Sequence, residues 1–350
     1  MNSYEFYHEF VPVANEFARE NGFDNYLEYT YKNMYGRDYT VGDISKFAEN
    51  TTHYIMDVER IMDEKFDNNH YSEEVVSFEQ TMRKGFLGPY LREFERYASI
   101  IGGNFNRNYN YMLDEGNYFF SDVPNSPYTA YNTSSVSIGS YLFFSRDYQD
   151  IGSFVHEYGH YNASYESNAY SYDIFETQSQ GDELLFLYYL TEESGQRFNW
   201  YDGKWTDLHK YIVVKDFLRL VRNSTWVNEC EEYIYTHEGI SEEEMLNMVN
   251  ETAAKYGLKT DHDDFSHSYV GYVGPENPGY YISYAISAMA SLSLYALAYD
   301  KGFYEAAEAY EKVYSIGNVS FSEMIEDANL YDPLTDEGFQ SITTALGKIS

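Results

Sequence analysis

The chain has 350 residues, with 57 acidic against 23 basic side chains and a formal charge of -34. That field repels phosphate backbones and anionic membrane surfaces and argues against nucleic acid as a partner, while 43% hydrophobic content can fill a sizeable core. The single Cys230 forms no internal disulfide, no Cys/His array offers a structural zinc site, and the start MNSYEFYHEF lacks the basic and apolar regions of a signal peptide.

No apolar run approaches the roughly 20 residues of a membrane span, so a soluble chain is expected. Its compartment, cytoplasmic or exported with a leader outside this sequence, stays open, as does its oligomeric state.

Taken in chain order, residues 5–20, 24–34, 42–66 and 73–100 carry apolar positions at three-and-four spacing, with Gly22, Gly36 and Gly102-Gly103 where helices would stop. Residues 1–103 therefore read as a helical part. From 104 to 146 the composition shifts to Asn, Tyr, Ser, Gly and Pro, and YTAYNTSSVSIGSYLFF alternates as short strands do, which predicts one small sheet.

Helical spacing returns at 148–165, 172–193, 204–236, 241–256, 279–300, 303–315 and 335–348. SEEE at 241–244 and SFSE at 320–323 fit capping boxes, and 257–279 reads as a long loop. No repeat or linker divides the chain, so a single mostly α-helical domain over 1–350 is predicted, with residues 104–350 as its metal-binding part.

The segment FVHEYGHY holds His156, Glu157 and His160. Helix positions four apart share a face, so both imidazoles can reach one zinc while Glu157 addresses a water on that ion. Tetrahedral zinc then needs a third protein donor. The next helix supplies YDIFETQSQGDELL, in which Glu176, Gln180 and Glu183 share a face; Glu176 is the expected ligand, and Glu183 can accept the second ring N–H of a ligating histidine.

HEYGH followed by DIFETQSQGDE resembles the thimet oligopeptidase and oligopeptidase F family of zinc peptidases, whose pattern is HExGH and then E-x-P-S-Q-x-x-E. Glu176, Ser179, Gln180 and Glu183 match the second segment, Gln178 replaces its proline, and Ala163 stands where a further histidine often follows. The resemblance implies a helical zincin-like fold with a small sheet beside the active-site helix, one zinc per chain on His156, His160 and Glu176, and Glu157 as catalytic base.

TAYNTSSVSIGSYLFFSRDYQDIGSFVHE resembles the family's strand and entry to the zinc helix, which implies a strand lying beside bound peptide. HSYVGY at 267–272 and GYYISYAISAMASL at 279–292 resemble its His-and-Tyr region over the zinc. By position, His267, Tyr281 and Tyr284 then become catalytic candidates at the oxyanion, and Tyr272 and Tyr280 substrate-binding ones. Extra residues after Tyr272, VGPEN included, leave the choice between Tyr280 and Tyr281 open.

The resemblance covers about residues 20 to 345. Family members are usually longer, with an N-terminal helical region walling a deep channel, so it implies either a catalytic region or a short form with a more open cleft. The implied activity is a metalloendopeptidase hydrolysing internal bonds of oligopeptides. A catalytically silent peptide-binding protein of the same fold and a zinc aminopeptidase are the alternatives.

Overall fold

A computed structural model describes residues 2–68, 87–121, 128–134, 137–145, 151–194, 203–259, 265–274 and 277–349. Helices α1 (Ser3–Glu20), α2 (Tyr26–Asn33) and α3 (Val41–Asn50) each start at a side chain, Asn2, Asn25 or Thr40, that accepts an otherwise unpaired first-turn amide. A π-helical turn at Thr51–Ile55 joins α3 to α4 (Met56–Asn68), so the predicted 42–66 helix is one run with a bulge. The predicted 73–100 helix is seen as α5 (Leu87–Ile101), and its residues up to 86 lie outside the described ones.

The next segment departs from expectation. Residues from 104, read as the start of the strand-bearing region, form helix α6 (Gly103–Glu115), which ends at Gly116 in the left-handed region, φ 66°. Phe105, Tyr109 and Met112 recur at helical spacing and are buried together with Asn108, a stripe that the flanking asparagines obscure in the sequence.

The predicted sheet follows as β1 (Tyr118–Ser121), β2 (Tyr128–Ser134) and β3 (Ser137–Ser145), in the order β1-β3-β2. β1 runs parallel to β3, and β2 pairs antiparallel with Tyr131 opposite Ser140. Among the described strands β2 is thus an edge, and β2 and β3 both lie against α7 (Ile151–Glu166), the helix of the HEYGH motif. Residues 122–127, 135–136 and 146–150 of the predicted strand and helix-entry region lie outside the described ones.

After α7 come α8 (Tyr172–Tyr188) with a π-helical turn at Tyr189–Glu193, α9 (Gly203–Thr236) and α10 (Glu242–Lys255). The predicted loop at 257–279 contains the short helix α11 (Tyr269–Val273), with 260–264 and 275–276 outside the described residues. α12 (Ile282–Lys301), α13 (Phe303–Tyr314), α14 (Phe321–Asp327) and α15 (Asp336–Ile349) complete the chain. Both predicted capping boxes form, at Ser241 with Glu244 and at Ser320 with Glu323. The second opens α14, a helix too short to show as a periodic run.

α12 corrects the reading that no run is long and apolar enough for a membrane: its 20 residues are, by length and composition, but 89% of the apolar window is packed inside the protein. Its alanines and serines, from Ser283 through Ala288 to Ser293, are small enough for α8, α9, α13 and α15 to close around it. The buried apolar core runs from Tyr7 on α1 to Leu346 on α15, so the N-terminal helices share it with the metal-motif helices.

Candidate metal centre and cleft

α7 and α8 approach closely because Gly159 carries no side chain. A Cβ there would stand 2.7 Å from the Ser179 Cα and 2.9 Å from the Gln178 carbonyl oxygen. The contact puts the motif face of α7 opposite the start of α8. His156 Nε2 lies 3.7 Å and His160 Nε2 3.8 Å from one and the same oxygen, Glu176 Oε2.

The candidate donor atoms of the three residues all lie within 4.8 Å of one another. Donors of a four-coordinate zinc, each about 2.0–2.2 Å from the ion, stand roughly 3.3–3.5 Å apart, so the two nitrogen-to-oxygen separations need close by only a few tenths of an ångström. Two imidazoles and a carboxylate with room for a further ligand are also the right donor chemistry for a zinc that acts on substrate. The residues fit the ion.

The surroundings set the protonation of each donor. His156 Nδ1 sits 2.7 Å from Glu183 Oε1, so the ring donates there and turns Nε2 toward Glu176. Burial opposes a charge on His156, but the Glu183 carboxylate outweighs it and raises the pKa to about 9. Burial and the neighbouring His156 hold His160 well below the ordinary histidine value. Burial pushes the Glu176 carboxyl up, against the pull of His156 and a hydrogen bond from Tyr280.

A cleft of about 680 Å3 opens over these groups, lined by His156, Glu157, His160 and Glu176 at one end and by Tyr280 and Tyr284 beside them. Glu157 is buried in its wall. The Tyr280 hydroxyl donates to Glu176 Oε1 at 3.0 Å and stands 3.3 Å from the Tyr284 hydroxyl. Burial, with the Glu176 charge, pushes the Tyr284 phenol up to about 12 and the Tyr280 phenol further, so both are proton donors at neutral pH.

The remaining candidates are placed elsewhere. Tyr281 is half-buried, with its ring edge-on to Tyr269, and is not among the residues lining the cleft. His267 and Tyr272 are exposed and do not line it either. The choice between Tyr280 and Tyr281 at the cleft thus falls on Tyr280, because the turn at Gly279, φ 74°, sets the register of the helix that follows.

Matched positions on α8 each make a contact at or next to the site. The Ser179 hydroxyl lies 3.4 Å from Glu176 Oε2 and Ser287 on α12 donates to Gln180 Oε1 at 3.1 Å. Gln178, in place of proline, is buried and donates to the Val313 carbonyl at 3.1 Å. The sequence alone did not mark the other lining residues Ser164, Ser167, Ala169, Tyr172 and Phe175, of which Tyr172 packs edge-on against Tyr280 with ring centroids 5.7 Å apart. Tyr172 precedes Glu176 by one helical turn, a spacing that could have marked it.

No family model matches the chain, and no curated protein matches it significantly. Solved structures do match in fold. A candidate oligoendopeptidase F from Bacillus anthracis str. Ames aligns at TM-score 0.71 and 20% identity over 97% of this chain and 61% of its own. PZ peptidase A, solved with an inhibitor, aligns at 0.77 and 18% over 99% and 65%. A further candidate oligoendopeptidase F aligns at 0.72 and 16% over 99% and 64%.

The chain has the fold of these peptidases and spans 61–65% of their length.

Proposed function

We propose that this chain is a zinc metalloendopeptidase that hydrolyses internal peptide bonds of oligopeptides. The observation that carries the reading is the convergence of His156, His160 and Glu176 within 4.8 Å in a cleft whose wall also holds Glu157. One zinc per chain, held by those three residues, supplies Lewis-acid polarisation of the scissile carbonyl and of the attacking water.

The other steps belong to side chains. Glu157 takes the water's proton and returns it to the leaving amine, a general base and then a general acid. Tyr284 donates its phenol hydrogen to the oxyanion. Tyr280, bonded to Glu176, orients that ligand as Glu183 orients His156. The edge strand β2 beside α7 offers main-chain groups to an extended peptide without reading its side chains.

The test is digestion of a quenched fluorescent peptide blocked at both ends. Cleavage that a chelator stops and zinc restores supports the reading. A blocked peptide left intact while the same peptide with a free amino terminus is trimmed would make the activity an aminopeptidase. No cleavage of either, with zinc bound, would leave only the silent peptide-binding alternative.

A further inference from the structure

Glu176, the proposed zinc ligand, stands on α8 and its partner Tyr280 on the segment just before α12, so their contact depends on how that segment is held. That segment is held by groups from two distant parts of the chain, residues 35–37 and Glu231 on α9. The Tyr35 hydroxyl donates to the Pro278 carbonyl at 2.9 Å, and the Gly279 amide donates to both oxygens of buried Glu231 at 3.1 and 3.2 Å. Arg37 Nη2 donates to the Ser283 hydroxyl at 2.7 Å and reaches the Tyr280 carbonyl at 3.4 Å.

The same guanidinium faces α8. Arg37 Nε stands 3.6 Å from Asp173 Oδ1, both side chains fully buried, and the Tyr39 hydroxyl bonds the other Asp173 oxygen at 3.0 Å. Asp173 lies on the first turn of α8, just ahead of Glu176. The guanidinium carbon is 4.3 and 4.7 Å from the ring centres of Tyr31 and Tyr35, so the planar group is stacked as well as bonded.

We propose that Arg37 is a positioning residue for the metal site: its buried fork ties the helix that carries Glu176 to the segment that carries Tyr280 and Tyr284. It touches neither zinc nor substrate and acts through Tyr280. The planar guanidinium serves two directions at once: an ion pair at 3.6 Å, without a hydrogen bond, to Asp173 on α8, and hydrogen bonds from Nη2 to Ser283 and the Tyr280 carbonyl around the start of α12. A lysine in its place keeps the charge and loses the link. The inference rests on the proposed zinc site, since the contact it protects is the one between Tyr280 and Glu176.

The experiment uses Arg37→Lys and the milder Tyr35→Phe, which removes one hydroxyl and keeps the buried Arg37–Asp173 pair. The first readout is amide hydrogen exchange on metal-free protein. Gly279, Tyr280, Ser283 and Tyr284 amides are hydrogen-bonded, and their exchange should rise roughly threefold to tenfold in either variant, with residues 151–160 unchanged.

The second is a double-mutant cycle on zinc affinity. Tyr280→Phe should weaken binding by about tenfold, Arg37→Lys by a similar or smaller factor, and the pair together no more than Tyr280→Phe alone. Unchanged exchange at 279–284, or independent losses that multiply, overturns the proposal. If wild-type protein binds no zinc, the zinc reading falls and the exchange measurement alone decides whether Arg37 holds this segment.

Discussion

Tyr280 and Glu176 are 104 residues apart in sequence and joined by a 3.0 Å hydrogen bond, while Tyr284, four residues on and in the first turn of α12, has its hydroxyl 3.3 Å from that of Tyr280. Two neighbouring phenols in one cleft thus have different partners, which separates their roles. Tyr280→Phe removes support from Glu176, the proposed metal ligand, and should appear in zinc affinity. Tyr284→Phe removes a donor aimed into the cleft and should lower kcat by roughly 100-fold, with zinc content and KM nearly unchanged. Steady-state kinetics and metal analysis on the two variants read the difference, and a Tyr284→Phe enzyme with wild-type kcat would remove it as the oxyanion donor.

Glu157 is the cleanest test of the chemistry because its place in the motif gives it no metal to hold. Glu157→Gln should lower turnover by at least about 10²–10⁴-fold while zinc stoichiometry and unfolding stay as in wild type, since an amide accepts no proton. Activity within tenfold of wild type would sink the assignment of the base.

How much of this was legible in the sequence follows from range of interaction. HEYGH and the E-x-x-S-Q-x-x-E match are helical spacings, fixed within two turns, so His156, Glu157, His160 and Glu176 could be singled out directly, whereas Ser164, Tyr172 and Phe175 on the same two helices lie outside both patterns. The register of Tyr280 against Tyr281 could not, because it is set by a left-handed Gly279 whose amide is held by Glu231, 48 residues earlier. α6 was obscured because asparagine is a poor helix former and its buried stripe of Phe105, Tyr109 and Met112 has meaning only against the neighbouring helices. Arg37 gave no signal at all: only the folded chain brings it between Asp173 and Ser283.

The His156–Glu183 pair predicts a pH dependence with a definite sign. In metal-free protein the His156 pKa is raised to about 9, above the ordinary value near 6.5, so the pairing stabilises the fold fully below about pH 6.5 and is lost as pH rises through about 9. Zinc requires the neutral ring and must displace that proton. Titration calorimetry in buffers of different ionisation enthalpy should show proton release on zinc binding at pH 7, shrinking above pH 9, with affinity rising in between. Glu183→Ala should lose that release and bind zinc about 10–100-fold more weakly; unchanged affinity would mean Glu183 does not orient the ring.

Gly159 tests whether the site is built by the approach of α7 to α8. A methyl at this position meets backbone atoms, Ser179 Cα at 2.7 Å and Gln178 O at 2.9 Å, which cannot swing aside as a side-chain tip can. Gly159→Ala must therefore separate the helices, at a cost of about 1–3 kcal/mol in stability. Because His156 and His160 ride on one helix and Glu176 on the other, the same shift opens the donor triangle, so zinc affinity should fall by more than tenfold with all three ligands intact. Gly347→Ala on α15 is the matched control: its added methyl has nothing within 4 Å and an alanine favours the helix, so stability should rise by up to about 1 kcal/mol with zinc binding unchanged. Denaturant unfolding and competitive zinc titration on both variants make the comparison. A Gly159→Ala protein that keeps wild-type zinc affinity would show that the two helices need not touch this closely to form the site.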